Sequence, residues 1–365
     1  MTLDLTSVET PAGLVDRAAM EANARRVVAY CAEHGLAWRP HVKTHKSTRV
    51  ARIQLEAGAT GLTVATPHEA EVMAAVCDDL LLAYPPVGAR KLERLMALPE
   101  RVRLTVALDS TDVLHPLAAA ARAAGRVVGV LVEVDVGLGR VGVQGVEAVV
   151  SLAREVAATE GVEWRGIAFY AGHLRGRAEE NAEGMADLSH DVSALCDALA
   201  AEGLPPEVVS GGTTPTLWQS HEVARLTEVR AGTCIYFDRD GVAMGVAEPD
   251  HLAYTVLATV VSTAVAGRAA IDAGSKALAK ETRGGLGSFG TLLERPDVNV
   301  VALSEEHGML DLTGTDWRPA VGERVRIVPN HVCVSVNLQD RILVLDHGAL
   351  EAWPLEGRGR LGGGA

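Results

Sequence analysis

The chain has 365 residues, which exceeds one ordinary domain and suits a barrel of about 250 residues with a smaller unit. Its formal net charge of -13 argues against a nucleic-acid surface, because phosphate binding needs clustered lysine and arginine. The five cysteines are scattered and form no CxxC pair, so we expect no disulfide framework and a reducing cytoplasm. We find neither a basic start followed by an apolar run nor an apolar stretch of about 18 uncharged residues. We therefore expect no signal peptide and no membrane span.

From residue 14 to about residue 240, short apolar runs alternate with helical patterns. The predicted strands are Ala37–Val42, Gly61–Ala65, Leu80–Tyr84, Val102–Leu108, Val127–Val134, Gly166–Tyr170, Glu207–Val209 and Leu226–Val229. The predicted helices are Arg17–Glu33, Lys46–Glu56, Pro67–Val76, Ala89–Ala97, Thr111–Ala123, Val146–Ala158 and Glu180–Ala201. Eight strands that alternate with helices predict an α/β fold, a (β/α)8 TIM-type barrel, with a doubly wound open sheet as the alternative.

After about residue 245 the pattern changes to short strands separated by Gly, Asp and Pro turns. The predicted strands here are Leu252–Val265, Ala269–Asp272, Val298–Ser304, Arg324–Val328, Cys333–Leu338 and Ile342–Asp346. We therefore predict a barrel over residues 14–243 and a mostly antiparallel C-terminal β domain from residues 1–13 and 244–356. The Gly-rich residues 357–365 are predicted to be a disordered tail.

The first predicted strand runs into the basic segment RPHVKTHK, which begins at Arg39. In a barrel, the carboxyl ends of the strands and the loops after them form the active-site face. If this segment is extended, His41, Lys43 and His45 point to one side. A lysine held there beside imidazoles can form an imine, which makes Lys43 a candidate cofactor anchor. The alternative is a solvated basic loop.

The seventh and eighth predicted strands both end in turns rich in glycine and threonine. Glycines let backbone N–H groups approach an anion, and the hydroxyls add further donors. Phosphate sites in barrels commonly follow these two strands. The candidate phosphate-binding residues are Ser210, Gly211, Gly212, Thr213, Gly232 and Thr233. Ordinary tight turns are the alternative.

The fifth and sixth predicted strands end in side chains suited to a bound ring or to proton transfer. Arg140 follows the fifth strand within GLGRVG, where its planar fork can reach a carboxylate or a ring substituent. Tyr170 and His173 follow the sixth strand, and either can contact a ring or move a proton. The alternatives are a surface arginine, a packed structural tyrosine and an incidental histidine.

The segment PNHVC in the predicted β domain offers two metal ligands. His331 and Cys333 stand at i and i+2, so on a strand both project from the same face and can chelate one ion. Imidazole with thiolate favours Zn²⁺, with Mn²⁺ and Mg²⁺ as alternatives. Two protein ligands leave positions open for water or substrate, which suits a catalytic site. A buried cysteine next to a surface histidine is the alternative.

Together these segments resemble the D-threonine aldolase / D-serine dehydratase family of the alanine-racemase-like, fold-type III pyridoxal phosphate enzymes. The resemblance covers nearly the whole chain and is carried by RPHVKTHK, GLGRVG, SGGTTPT, VRAGT and PNHVCVSVNLQDR. It implies that Lys43 holds pyridoxal phosphate as a Schiff base, that the two Gly/Thr turns bind its phosphate, and that His331 and Cys333 bind a divalent metal. It also implies a homodimer in which the β domain of one subunit approaches the barrel mouth of the other.

The resemblance places Arg140 and Tyr170 beside the cofactor ring, together with His41. The loop after Tyr170 matches the family least, because His173 is followed by Leu174, Arg175 and Gly176 where some members carry a further histidine. His173 is therefore a candidate second base rather than an assigned one.

The implied substrate is a D-3-hydroxy amino acid, and two outcomes follow from the same parts. If Lys43 removes the α-proton and the metal helps hydroxide to leave, the products are a 2-oxo acid and ammonia. If a base deprotonates the metal-bound hydroxyl, cleavage between Cα and Cβ gives glycine and an aldehyde. The H-x-C pair resembles the dehydratase metal site, whereas aldolases more often carry H-x-D, so we predict a dehydratase with an aldolase as the alternative. Racemisation is a third outcome.

Two other classes of protein are alternatives to this lyase. A non-catalytic pyridoxal phosphate carrier would resemble the barrel alone, so the β domain with its H-x-C pair counts against it. A metal-dependent hydrolase barrel would leave Lys43 and the phosphate-type turns unexplained.

Overall fold

The computed structural model describes Leu5, residues 7–282 and residues 285–359. The chain divides into two compact units. The barrel unit comprises Arg25–Gly232 with the end of the chain from Glu356, and the β unit comprises the start of the chain to Ala24 with Thr233–Leu355. The predicted tail lies, from residue 360 onward, outside the described residues. The chain enters the fold through β1 (Ala12–Asp16) and α1 (Arg17–Glu33).

The barrel unit contains one parallel sheet of eight strands. These are β2 (Ala37–Trp38), β3 (Leu62–Val64), β4 (Asp79–Leu82), β5 (Arg103–Leu108), β6 (Val128–Val134), β7 (Val162–Phe169), β8 (Val208–Gly211) and β9 (Glu228–Val229). Their order is β2-β9-β8-β7-β6-β5-β4-β3. A parallel bridge between His41 and Thr63 brings the two ends of this order together. The predicted α/β barrel is thereby confirmed.

Helices connect the strands, as parallel pairing requires. They are α2 (Thr48–Ala57), α3 (Pro67–Met73), α4 (Ala89–Met96), α5 (Thr111–Ala123), α6 (Val146–Ala158) and α7 (Ala178–Ala201). The start of α3 follows from its sequence: the Thr66 hydroxyl accepts a hydrogen bond from the backbone N–H of Glu69, and Pro67 occupies the first turn. The predicted bounds of α1, α5 and α6 are confirmed to the residue.

Strand register determines which side chains face the barrel interior, because residues directly opposite each other share a face. Ala168 of β7 lies opposite both Glu133 of β6 and Ser210 of β8, and Ser210 in turn lies opposite Glu228 of β9. Ala168 packs with Leu131 and with side chains of the neighbouring strands in one buried apolar cluster. The interior therefore has an apolar middle layer, and polar side chains lie above and below it.

Charged side chains occupy the interior towards the amino ends of the strands. The guanidinium of Arg39 lies 2.8 Å from Glu228 and 2.5 Å from Asp79, and its side chain is only 13% exposed. Glu228 also accepts a 2.6 Å hydrogen bond from the Ser210 hydroxyl. Arg103 contacts the same Asp79 at 3.0 Å, but its side chain is 76% exposed. Arg39 is thus the buried centre of an ion-pair network that joins β4 and β9.

The β unit is mostly antiparallel, as predicted; the pairing of β1 with β16 is its parallel exception. Besides β1 its strands are β10 (Tyr254–Ser262), β11 (Arg268–Ile271), β12 (Gly290–Leu292), β13 (Val300–Leu303), β14 (Gly308–Asp311), β15 (Arg324–Pro329), β16 (Arg341–Asp346) and β17 (Ala349–Pro354). Its short helices are α8 (Arg239–Ala243), α9 (Ser275–Leu278) and α10 (Val332–Asn337).

The prediction of a strand over Cys333–Leu338 is wrong, because these residues belong mainly to α10. Its alternating valines imitate a strand, but Val332 and Val336, four residues apart, are both fully buried on one helical face. The hydroxyl of buried Ser335 donates to the carbonyl of Ala277 at 2.8 Å and fixes the helix in place. None of the helices within the described ranges combines the length and apolar character that a membrane crossing needs.

Candidate active site

Lys43 lies in the barrel unit, in a single 3₁₀ turn (Val42–Thr44) that follows β2. The imidazole Nδ1 of His41 accepts a hydrogen bond from the Lys43 backbone N–H at 3.4 Å and so caps this turn. The Lys43 side chain is exposed, with its Nζ 5.8 Å from the centre of the Tyr170 ring. Burial lowers the pKa of His41 well below its usual value, and the positive charges of Lys43 and Arg230 lower it further. Neutral His41 thus serves as an acceptor that fixes the lysine turn.

The expectation that His41, Lys43 and His45 share one side of an extended segment is wrong. The 3₁₀ turn redirects the chain, so His45 is fully buried away from Lys43. Its Nε2 lies 3.0 Å from Gln54 Oε1, and its Nδ1 accepts from the Ser47 backbone N–H at 3.2 Å. Burial lowers the pKa of His45 to about 3. His45 is therefore a neutral structural residue of the loop.

The lysine loop continues through Lys46, which adopts a left-handed backbone conformation with φ 53°. Such a conformation is unfavourable for a non-glycine residue and persists only where the surroundings hold it. The Lys46 ammonium pairs with buried Glu69 at 2.5 Å, and its carbonyl accepts from the Gly357 backbone N–H at 2.8 Å. Contacts from two distant parts of the chain thus fix the loop.

Glu356, which precedes Gly357 in the chain, supplies the N-cap interaction of helix α2. Its carboxylate accepts from the backbone N–H of Thr48 at 3.1 Å and from the Thr48 hydroxyl at 2.8 Å. Ser47, the residue at the capping position itself, makes no side-chain capping bond. A carboxylate at a helix N-terminus also interacts favourably with the helix dipole. The segment Glu356–Gly357 therefore acts as a strap across the lysine loop.

We expect removal of this strap to loosen the lysine loop. A chain that ends at Leu355 should lose about 1–2 kcal/mol of unfolding free energy, the usual cost of a lost helix cap. Amide hydrogen exchange should rise in Thr48–Ala57, the helix that loses its cap. A matched chain that ends at Gly359 retains the strap and should behave as the full chain does. Equal exchange in α2 for both shortened chains would contradict the prediction.

Tyr170 and Arg140 form one wall of the barrel mouth. The Arg140 guanidinium carbon lies 4.8 Å from the Tyr170 ring centre, so a cation stacks on the aromatic face. The exposed ring of His173 rests on Gly137, where a Cβ would come within 3.3 Å of it. Asp135 Oδ1 accepts from the backbone N–H groups of Gly137 and Gly139 at 3.1 and 2.9 Å, and this holds the arginine loop. The structure therefore brings Lys43, Arg140 and Tyr170 together as the sequence predicts.

The first Gly/Thr turn follows β8. Gly212 has φ 75°, which L side chains rarely adopt, and Thr213 and Thr216 share a 3.0 Å hydrogen bond between their hydroxyls. Ser210 differs from the expectation of a phosphate donor, because its hydroxyl donates to Glu228 in the barrel interior. Gly211 still pairs with β9, so the backbone N–H groups of Gly212 and Thr213 are the candidate donors of this turn.

The second turn follows β9 and contains Arg230, for which the sequence predicts no role. Its Nη2 donates to the Phe169 carbonyl at 2.5 Å, while its buried Nε has no hydrogen-bond partner in the described part of the chain. A Cβ at Gly232 would clash with the His41 carbonyl, so only glycine lets the backbone run this close. An orphaned buried donor, a glycine cradle and a nearby lysine fit an anionic aromatic aldehyde such as pyridoxal phosphate.

The predicted metal ligands lie in the β unit at the start of α10. His331 occupies the N-cap position and Cys333 the first turn, so they are neighbours across a helix start rather than on a strand. The His331 Nδ1 lies 3.2 Å from Asp238 Oδ2, and the hydroxyl of Thr233 lies 3.4 Å from Cys333 Sγ. Burial alone lowers the pKa of His331, but the Cys333 thiolate and the Asp238 carboxylate raise it to about 10.

This donor set fits a divalent metal of the zinc type. Imidazole and thiolate are soft-to-intermediate ligands, and a carboxylate on the second imidazole nitrogen orients the ring, as in many zinc sites. Within the described ranges, no group of three His, Cys, Asp or Glu side chains has the geometry of a metal cluster. Asp238 therefore lies where it can orient the His331 ring, and His331 and Cys333 stay the two candidate ligands.

Known proteins are similar to this chain over nearly its whole length. The family model described as "Alanine racemase, N-terminal domain" matches residues 15–240, and a serine dehydratase domain model matches residues 253–345. A 3-hydroxy-D-aspartate aldolase of Paracoccus denitrificans is 31% identical, with 98% of this chain and 94% of that protein covered. A D-threonine aldolase of Arthrobacter is 33% identical, with coverage of 97% and 94%.

Among solved structures, the D-threo-3-hydroxyaspartate dehydratase of Delftia superposes with a TM-score of 0.88 at 30% identity, covering 99% of this chain and all of that one. Structures of that dehydratase also exist for a histidine-to-alanine variant and, two residues further on, for a cysteine-to-alanine variant in the metal-free form. An alanine-racemase-like barrel joined to a serine dehydratase domain defines a class of pyridoxal phosphate enzymes. The chain belongs to the D-threonine aldolase / D-serine dehydratase family of this class, a family of lyases.

Proposed function

We propose that the chain is a pyridoxal phosphate- and divalent-metal-dependent dehydratase that converts D-3-hydroxy amino acids to 2-oxo acids and ammonia. The observation that carries the proposal is one chain that combines Lys43 at a barrel mouth with the His331 and Cys333 pair. The β unit argues against a bare cofactor carrier, because the serine dehydratase domain match covers it.

The residue types at the metal site favour the dehydratase over the aldolase. His331 and Cys333 have the same spacing and identity as the two residues replaced in the Delftia dehydratase variants. The cysteine variant of that protein was solved in a metal-free form, which supports a ligand role for the equivalent type of cysteine here. The aldolases at 31–33% identity keep retro-aldol cleavage as the second candidate.

In the proposed mechanism, Lys43 anchors the cofactor and Tyr170 with Arg140 confines its ring. Pyridoxal phosphate, when bound, supplies an electron sink for the charge that develops at the substrate Cα. The backbone N–H groups of Gly212, Thr213 and Gly232, with the Thr233 hydroxyl, would bind its phosphate. Arg230 would satisfy its unpaired Nε with the ring.

Proton transfer falls to two side chains in this scheme. The Nζ of Lys43 would accept the proton from Cα. A divalent ion on His331 and Cys333 would supply Lewis acidity at the substrate hydroxyl. His173, which rests on Gly137 beside the arginine loop, is the candidate for a second proton-transfer group.

The proposed enzyme is a cytoplasmic homodimer, which the scattered free cysteines and the family resemblance support.

Product analysis separates the two reaction types. We expect the holoenzyme to convert D-threonine to 2-oxobutanoate and ammonia, and 3-hydroxy-D-aspartate to oxaloacetate and ammonia. The corresponding L-isomers serve as the controls. Glycine with acetaldehyde or glyoxylate would replace the dehydratase proposal by the aldolase, and no product from any of these substrates would reject both.

We expect Asp238→Asn to weaken metal binding by about 10–100-fold, because a neutral amide replaces the charged carboxylate that orients the His331 ring. The amide oxygen can still accept from the Gly241 backbone N–H and so keep the cap of α8, whereas the position that accepts from the Val332 backbone N–H becomes an NH2 group. Circular dichroism of the variant therefore serves as the check that the fold persists. Metal content after dialysis against graded zinc buffers measures the effect. Asp250→Asn is the matched control, because this exposed aspartate also lies beside a histidine, at 3.4 Å. Equal zinc affinity in the two variants would remove Asp238 from the site.

A further inference from the structure

Arg239 is a half-buried cation of the β unit to which the proposed mechanism gives no role. It is the first residue of α8 and directly follows Asp238. Its Nη1 donates to the Ser288 hydroxyl at 2.5 Å and to Asn330 Oδ1 at 3.1 Å, and its Nη2 donates to Asn299 Oδ1 at 3.0 Å. These three acceptors are uncharged and come from three separate segments of the chain. A planar guanidinium with several fixed donors suits such a junction.

Asn330 connects this junction to the candidate metal ligands. It is the first residue of the ligand segment, residues 330–333, which contains both candidate ligands. Asn330 is 2% exposed, and its Nδ2 donates to the carbonyls of Ser288 at 2.5 Å and of Glu281 at 3.0 Å. The side-chain amide therefore has partners on both its nitrogen and its oxygen. Loss of the guanidinium would take a donor away from a buried oxygen, which costs free energy unless the segment rearranges.

The start of α8 follows the ligand segment residue by residue. Asp238 Oδ2 accepts from the Val332 backbone N–H at 2.9 Å and lies 3.2 Å from His331 Nδ1. The Asp240 backbone N–H donates to the Asn330 carbonyl at 3.2 Å. Between these two contacts along the chain, the guanidinium bonds the side chain of the same asparagine. Three consecutive residues at the start of this helix thus each hold the ligand segment.

The other two acceptors tie the junction to the strands of the β unit. Ser288 lies two residues before β12, and Asn299 lies directly before β13. β12 pairs with β15 through Gly290 and Pro329, and Pro329 directly precedes the ligand segment. The guanidinium therefore bonds the ligand segment to the strands beside which that segment begins. Groups behind a metal ligand contribute to metal affinity because they fix the position of the ligand.

We propose that Arg239 is a positioning residue of the candidate metal centre, because it fixes the start of the segment that carries His331 and Cys333. The inference rests on the proposed function, since it concerns the two side chains that would bind the divalent ion. Arg239 acts through Asn330 and supplies no bond to the ion. Its role is therefore distinct from that of Asp238, which lies beside the His331 ring.

Zinc affinity tests the role of the guanidinium. We expect Arg239→Met to weaken zinc binding by about 10–100-fold, the usual effect of a lost partner behind a metal ligand. Methionine keeps most of the side-chain length and removes every donor. Arg326→Met is the matched control, because Arg326 lies on β15, the strand that leads into the ligand segment, and donates to Glu294 at 2.5 Å. Dialysis of the full-length protein against graded zinc buffers measures both affinities.

A cobalt spectrum separates positioning of the ligands from general stability. Co²⁺ can replace zinc in such sites, and its visible absorption depends on ligand type and coordination geometry. We expect the difference spectrum between cobalt-loaded and metal-free protein to change in Arg239→Met and to stay as in the wild type in Arg326→Met. Arg239→Lys is the second variant, in case the methionine variant does not fold, because it keeps the cation but not the planar fork. Its zinc affinity should also fall below that of the wild type.

The outcomes separate this inference from the proposed function. Wild-type zinc affinity and an unchanged cobalt spectrum in the Arg239 variants would overturn the inference and leave the proposed function intact. A loss of stability towards denaturant without a change in metal binding would do the same, since it would give Arg239 a structural role alone. An equal loss of zinc affinity in Arg326→Met would also overturn the inference. A wild-type protein that binds neither zinc nor cobalt would overturn both the inference and the metal-dependent function.

Discussion

Lys43→Ala is expected to abolish the visible absorbance of the cofactor-loaded protein and to lower kcat/KM by about 10⁴-fold. The loss has two physical sources: the covalent anchor disappears, and the group that moves the Cα proton disappears with it. The first is measured by the absorption spectrum after reconstitution with pyridoxal phosphate, and the second by product formation from D-threonine.

Lys91→Ala provides the matched control for this substitution. Its Nζ lies 5.5 Å from the ring centre of Tyr84, which closely matches the 5.8 Å between Lys43 and Tyr170. Lys91 is on helix α4, however, and not in a strand-end loop. Loss of colour and activity in the Lys43 variant alone would therefore reflect position and not the lysine–tyrosine contact. A colourless wild-type protein, or full activity without Lys43, would refute the anchor assignment.

Arg39→Met is expected to lower the free energy of unfolding by about 3–5 kcal/mol, the usual cost of breaking a buried ion pair. Removal of this guanidinium leaves the Glu228 carboxylate, at 5% side-chain exposure, without its cation, and leaves Asp79, at 23%, with the exposed Arg103 alone. Methionine preserves much of the side-chain volume, so the loss reports the charge. Denaturant titration followed by circular dichroism measures it.

Arg103→Met is the natural comparison, because Arg103 pairs with the same Asp79 from a side chain that is 76% exposed. An exposed ion pair contributes about 0–1 kcal/mol, so this variant should unfold almost as the wild type does. Similar destabilisation in the two variants would show that burial is not what makes the Arg39 network important.

The sequence predicts the barrel well, because each βα unit carries its own local signals. Apolar runs, helical periodicity and capping residues such as Thr66 act over a few residues, and α5 and α6 match their predicted bounds. The positions of Lys43, Arg140 and Tyr170 follow from one further rule, that functional side chains follow the barrel strands. No register information is needed for either step.

Other features depend on contacts that no short window contains. The sequence predicts that His45 lies on the same side as Lys43, but a 3₁₀ turn redirects the chain and His45 is buried against Gln54. The strand-like valines of α10 are helical because their buried face is set by the rest of the β unit. The environment of Arg230 follows only from the folded chain, where the side chain is 7% exposed and donates to the Phe169 carbonyl. No short sequence pattern identifies the roles of these residues, because those roles follow from contacts in the folded chain.

The strap from Glu356 has a consequence for protein synthesis. Thr48 and Glu356 are 308 positions apart, so a ribosome makes the lysine loop long before it makes the carboxylate that caps the following helix. The barrel strands can assemble as they emerge, but the lysine loop reaches its final hydrogen bonding only after nearly the whole chain has been translated. Truncated products that lack Glu356 and Gly357 would carry Lys43 in a loop without these hydrogen bonds.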